Sequence, residues 1–125
     1  MIKGIHHVAM NCETKEKYDE VVYFYHNLLK LPILRKWDGG IHLDCYNGCI
    51  EIFFDGAKPL EQGCIRHFAF ATDHVDEIVD VVRNAGYKVS VEPKDVNMKT
   101  EPVFPIHIAF IEGPLNESIE FFCEK

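Results

Sequence analysis

The sequence predicts an α+β fold in which two βαβββ modules, about residues 1–56 and 64–125, build a curved mixed sheet within one domain. Three observations carry that prediction. Ile5-His6-His7-Val8-Ala9-Met10 near the start is echoed by Ile65-Arg66-His67-Phe68-Ala69-Phe70, with apolar, His, apolar, Ala and apolar residues in matching places. The first half closes on Cys49-Ile50-Glu51-Ile52-Phe53-Phe54, and the second on Ser118-Ile119-Glu120-Phe121-Phe122-Cys123. Between these ends each half passes from helical spacing to strand-like runs.

In the opening strand, side chains alternate, so Ile5, His7 and Ala9 share one face and His6 points the other way. The first helix is expected over about Lys15 to Leu29, where Tyr18, Val21, Val22, Tyr25, Leu28 and Leu29 recur at three- and four-residue steps. Strand-like runs follow at Ile33 to Trp37, Ile41 to Tyr46 and the Glu51 segment. Asp55 to Gly63 is polar, carries Gly and Pro, and reads as a connector.

The second half opens with the His67 strand, whose Ile65, His67 and Ala69 share a face. A helix is expected over about Val75 to Ala85, entered at Asp73 or His74, with Val75, Ile78, Val79 and Val82 on one face. Gly86 is placed to end it in a left-handed turn. Lys88 to Val91 and Ile106 to Ile111 read as strands before the closing Glu120 strand. The stretch from Glu92 to Glu101, with Pro93 and Asn97 in it, is expected to be a mobile loop able to cover a site.

The 125 residues suffice for one domain, and 47% hydrophobic with 26% charged residues is an ordinary globular composition. A net charge of -7 with scattered Lys and Arg argues against nucleic acid and anionic membranes. No apolar run of about 18 residues and no signal-peptide h-region are present, so a cytoplasmic location is expected. Five cysteines without a C-x-x-C pair read as buried thiols of a reducing compartment. No Walker loop, G-x-G-x-x-G, nucleophile elbow or H-E-x-x-H occurs.

Glu51 and Glu120 each interrupt an otherwise apolar closing strand, sharing a face with Cys49 and Phe53 or with Ser118 and Phe122. A solvated sheet face would explain either one alone. Two histidines and two glutamates at equivalent places in two copies point instead to a pseudo-twofold gathering of His7, Glu51, His67 and Glu120 round one metal. Two imidazoles and two carboxylates suit zinc, nickel, iron, cobalt or manganese. His42 in Ile41-His42-Leu43 and His107 in Ile106-His107-Ile108 form a weaker echo. They are read either as outer hydrogen-bond donors or as ordinary strand histidines. His26 and His74 are placed on helix surface or edge. Most aromatic residues are assigned to the core, while Phe53 and Phe122 are candidates for a pocket wall.

Together, the Ile5–Met10 segment, Tyr23-Phe24-Tyr25 with Leu28-Leu29, Ile50-Glu51-Ile52, Ile65–Ala69 and Gly113–Glu120 resemble the vicinal oxygen chelate superfamily. That superfamily comprises glyoxalase I, methylmalonyl-CoA epimerase, extradiol dioxygenases and bleomycin resistance proteins. The resemblance spans nearly the whole chain. It implies paired βαβββ modules around one divalent metal, commonly in a homodimer, with His7, Glu51, His67 and Glu120 on the four ligand positions. A carboxylate at Glu51 leans toward the isomerase and lyase branch, with nickel, zinc or cobalt as the metal. The implied activity is that of glyoxalase I: a proton moves next to a carbonyl of a small-molecule substrate through an enediolate, turning a hemithioacetal into a 2-hydroxyacyl thioester. Glu120 or Glu51 is then the catalytic base, with Glu120 preferred. The alternatives are an epimerase, a dioxygenase or a non-catalytic binder of small molecules or antibiotics. The chain departs from the family pattern at Leu29-Lys30 and at Gly113-Pro114-Leu115-Asn116, and shows no arginine set matching a glutathione clamp.

Overall fold

Alternation of apolar and polar residues in the closing strands demands a sheet with one face covered, and each half supplies one helix to cover it. The computed structural model describes residues 1, 5–58, 65–98, 100 and 103–125. The chain divides into two compact units, Met1–Glu61 and Gln62–Lys125.

The first unit contains β1 (His7–Cys12), α1 (Lys15–Val22), β2 (Ile33–Trp37), β3 (Gly40–Asp44) and β4 (Cys49–Phe54). Its sheet has the order β1-β4-β3-β2, with β1 and β4 parallel and the other pairs antiparallel. Thr14 caps α1 by accepting a hydrogen bond from the Lys17 N–H at 3.1 Å. The helix reaches nearly the expected length, but Tyr23–Leu28 is a π-helical stretch. The wider turn lets the consecutive Phe24 and Tyr25 both be fully buried. With Val21, Ile41, Leu43, Ile50 and Ile52 they form the core on the helix side of the sheet.

The second unit repeats the pattern with β5 (Phe68–Ala71), α2 (Val75–Asn84), β6 (Val89–Met98), β7 (Phe104–Glu112) and β8 (Ser118–Glu124), in the sheet order β5-β8-β7-β6. Again only the first and last strands pair in parallel. Val75, Val79 and Val82 of α2 are buried, as are Ala109, Ile111, Ile119 and Phe121 of the sheet. Gly86 takes φ +94°, the left-handed turn expected after this helix.

One expectation is overturned. Most of the stretch read as a loop from Glu92 is strand, since β6 continues through Met98. Pro93 and the polar residues disguised it, yet β6 is an edge strand with register shifts between Val89 and Val91 and between Val91 and Lys94. A proline at a bulged edge position need not break the ladder. Arg83 of α2 also grips Glu92 with two hydrogen bonds of 2.8 and 2.7 Å. Residues 99, 101 and 102 of that stretch, 59–63 of the connector and Cys64 lie outside the described residues. Cys12 and Cys49 are buried, Cys45 and Cys123 are half-buried, and none of the four is in a disulfide.

Candidate functional site

The first unit gathers its polar groups on the sheet face opposite α1. The Asp38-Gly39 hairpin sets Trp37 opposite Gly40 and Arg35 opposite His42 across β2 and β3. A two-residue Asp-Gly turn favours this register. Antiparallel pairing of β3 with β4 then places His42 opposite Glu51, while the parallel β1 brings Ala9 beside the carboxylate.

Arg35 Nη1 lies 2.5 Å from His42 Nδ1, and His42 Nε2 lies 2.5 Å from Glu51 Oε2. The Trp37 indole meets the His42 ring edge-on with centroids 4.9 Å apart. It lies so close over Gly40 that a Cβ there would stand 2.3 Å from Cζ2 of the indole. His7 stacks on His42 at 5.9 Å and 27° rather than touching Glu51 directly. His6 does not face away as strand alternation suggested. It precedes β1, outside the regular pleat, and its Nδ1 is 2.9 Å from His7 Nδ1.

The β3–β4 turn fixes the entry to β1. The Cys49 N–H donates to His6 O at 3.0 Å, and a Cβ on Gly48 would come within 3.0 Å of Ile5 O. An open cleft of about 640 Å3 lies here, lined by Ile5, His6, Arg35, Tyr46 and Cys49 among others. Burial pushes the Cys49 thiol up, with Arg35 acting the other way, and burial likewise raises Cys45. Neither is a thiolate nucleophile at neutral pH.

In the second unit Ala69 and Phe110 flank Glu120 across β5 and β7. Glu120 is 8% exposed, and its Oε2 is 3.1 Å from His67 Nε2. Burial raises the pKa of this carboxyl, and His67 opposes the rise. The His67 ring rests edge-on against Phe110 at 5.0 Å.

Phe110, and not His107, is therefore the counterpart of His42. His107 faces the helix side, where its ring nitrogens meet Asp76 at 2.6 Å and Asp95 at 2.7 Å. Of the four predicted ligands, His67 and Glu120 are in contact, while His7 and Glu51 are linked through His42. Each unit supplies nitrogen and oxygen donors of the kind a borderline divalent metal takes. Among the described residues, no group of three or more His, Cys, Asp or Glu is close enough to hold a metal. Arg35 and the placement of Trp37 went unread in the sequence, although the Asp38-Gly39 turn signals the register that puts both beside His42.

A family model for the Glyoxalase/Bleomycin resistance protein/Dioxygenase superfamily matches residues 4–101. The chain belongs to this superfamily. Solved structures of similar fold include a glyoxalase/bleomycin resistance protein/dioxygenase from Alicyclobacillus acidocaldarius (18% identity, 98% of this chain and 92% of that one, TM-score 0.68). Another is lactoylglutathione lyase from Agrobacterium tumefaciens (15% identity, 98% and 95%, TM-score 0.67). A third is an integron cassette protein from V. cholerae (16% identity, 98% and 96%, TM-score 0.69). At these identities the likeness of this superfamily member to each is one of fold. No curated protein matches the chain. No helix among the described residues is long and apolar enough to cross a membrane.

Proposed function

We propose that this superfamily member is a metal-dependent lyase or isomerase of the glyoxalase I type, acting on a small molecule as a cytoplasmic homodimer. The reading is carried by the equivalent placement of the two carboxylates. Glu51 and Glu120 each sit on the last strand of a repeated unit, beside an alanine of the first strand that follows the unit's histidine by two residues.

His7, Glu51, His67 and Glu120 would together hold one nickel, zinc or cobalt ion, the two units each giving one histidine and one glutamate. Such an ion, when bound, supplies Lewis acidity to the substrate oxygens and so acidifies the adjacent C–H. Glu120 is the base in this reading. Its buried carboxyl binds a proton more readily than a solvated one, which suits it to take a proton from carbon. It returns that proton to the neighbouring carbon, and the hydroxyl proton passes from one substrate oxygen to the other, so the hemithioacetal becomes a 2-hydroxyacyl thioester with no oxidant consumed. Ala69 leaves space beside the carboxylate, while Phe110 and His67 restrict water around it.

The test is metal content by elemental mass spectrometry together with turnover of methylglyoxal mixed with several thiols. Glu120→Gln is expected to lower turnover by about 10²-fold or more while keeping the metal. Full turnover in that variant would overturn the role of Glu120. A second reading, a binding protein without catalysis, is favoured by the absence of a three-donor cluster among the described residues. Wild-type protein without metal, or ligand binding with no product, would support it. Oxygen-dependent turnover with iron would point instead to a dioxygenase.

A further inference from the structure

The two carboxylates are equivalent in sequence but not in their surroundings. Opposite Glu51 across the ladder stands a hydrogen-bonding histidine, whereas opposite Glu120 stands Phe110. Resting on the metal-centre reading above, we propose that Arg35 and His42 are positioning residues that pin Glu51 as a fixed ligand, a device the Glu120 side lacks.

A guanidinium has only N–H donors, so the Arg35 contact at 2.5 Å makes His42 Nδ1 the acceptor. The ring proton is then on Nε2 and is donated to Glu51 Oε2 at 2.5 Å. Donors run in one direction across three adjacent strands, from Arg35 to His42 to Glu51. Only 11% of the His42 side chain and 22% of the Glu51 side chain are exposed, and Trp37 closes one edge of the imidazole. A charge-assisted bond in such a setting fixes the rotation of the carboxylate. Oε1 of Glu51 has no hydrogen-bond partner among the described residues, so it is the oxygen left for an ion. Among the described residues the polar partner of the Glu120 carboxyl is His67, at 3.1 Å, and His67 is itself a proposed ligand. Glu51 would then be the fixed ligand of the proposed centre, and Glu120, which has no such clamp, would be the carboxylate available to carry the proton.

The experiment uses cobalt as the probe. Wild type, His42→Phe, which copies the Phe110 side, and His42→Gln, which restores an N–H donor, are titrated with cobalt against a competing chelator. Visible absorption of the bound ion is recorded in parallel. Loss of a partner that orients a ligand weakens metal binding by roughly 10- to 100-fold. That loss and an altered spectrum are expected for His42→Phe, with substantial recovery in His42→Gln. Long-range proton–nitrogen NMR on the metal-free protein, wild type and Arg35→Met, reads the tautomer directly. The proton is expected on Nε2 of His42 in wild type and shared between both nitrogens in the variant. Cobalt bound by His42→Phe as tightly as by wild type and with the same spectrum would overturn the positioning role, as would a wild-type proton on Nδ1. If His42→Phe does not fold, unrestored binding in His42→Gln together with an unchanged tautomer in Arg35→Met overturns it. Wild type that binds no cobalt overturns the metal-centre reading and the ligand role with it, whatever the tautomer.

Discussion

Replacing Gly40 by alanine tests the placement of the only tryptophan, and through it the wall of the His42–Glu51 pair. A Cβ at residue 40 would lie 2.3, 2.4 and 2.6 Å from Cζ2, Cε2 and Nε1 of Trp37. Ordinary contact begins near 3.4 Å, so the indole must retreat by about 1.1 Å, the difference between 3.4 and 2.3. The edge-on contact with His42 is then lost, at about 0.5–1.5 kcal/mol. A strained rotamer costs about 0.5–1.5 kcal/mol more. Opposing both, alanine restricts the unfolded chain and returns about 0.4–1 kcal/mol. The net expectation is a destabilisation of roughly 1 kcal/mol. Because the sequence holds a single tryptophan, intrinsic fluorescence reports this ring alone. The emission maximum should move to longer wavelength as the indole leaves its 43% exposed position, and the urea midpoint should fall. An unchanged spectrum with a raised midpoint is what alanine in open space would give, and it would refute the packing of Trp37 over Gly40.

Two further outcomes are expected away from the site. His107 is raised above the ordinary imidazole value by its hydrogen bonds to Asp76 and Asp95. Its stabilising contribution is therefore complete below about pH 6.5 and lost as pH rises through the raised folded value. His107→Gln should lower the denaturation midpoint more at pH 5.5 than at pH 9, and equal losses at both would contradict the ion pairing. Phe121 is 1% exposed and stacks on Phe70 at 6.2 Å. Phe121→Ala should cost about 3–5 kcal/mol in urea unfolding, and a loss under about 1 kcal/mol would mean that the sheet repacks.

The matched segments Ile5–Met10 and Ile65–Phe70, with Cys49–Phe54 and Ser118–Cys123, made the duplication legible, because a repeated unit must bury the same face each time it recurs. Helical spacing placed both helices, and strand alternation set Glu51 and Glu120 opposite the buried Ile50, Ile52, Ile119 and Phe121. Strand alternation failed at His6, which lies outside the pleat, and residue type failed at Glu92 to Met98, where an edge strand tolerates Pro93.

Outside β6 and the π-helical Tyr23–Leu28, the sequence by itself determined the element types and, within the regular strands, which residues share a face, since both follow from local spacing. Only the tertiary structure decided which side chains meet across strands. His42 matches His107 in its local pattern, yet the ladder sets Phe110 against Glu120 and turns His107 toward Asp76. Four residues, 45–48, separate β3 from β4, whereas five, 113–117, separate β7 from β8. Such a change in turn length shifts every cross-strand partner, and one step along a strand reverses the face. His107 lies three residues from Phe110 along β7, an odd number, so it falls on the opposite face and leaves Glu120 without a counterpart of the histidine that pins Glu51.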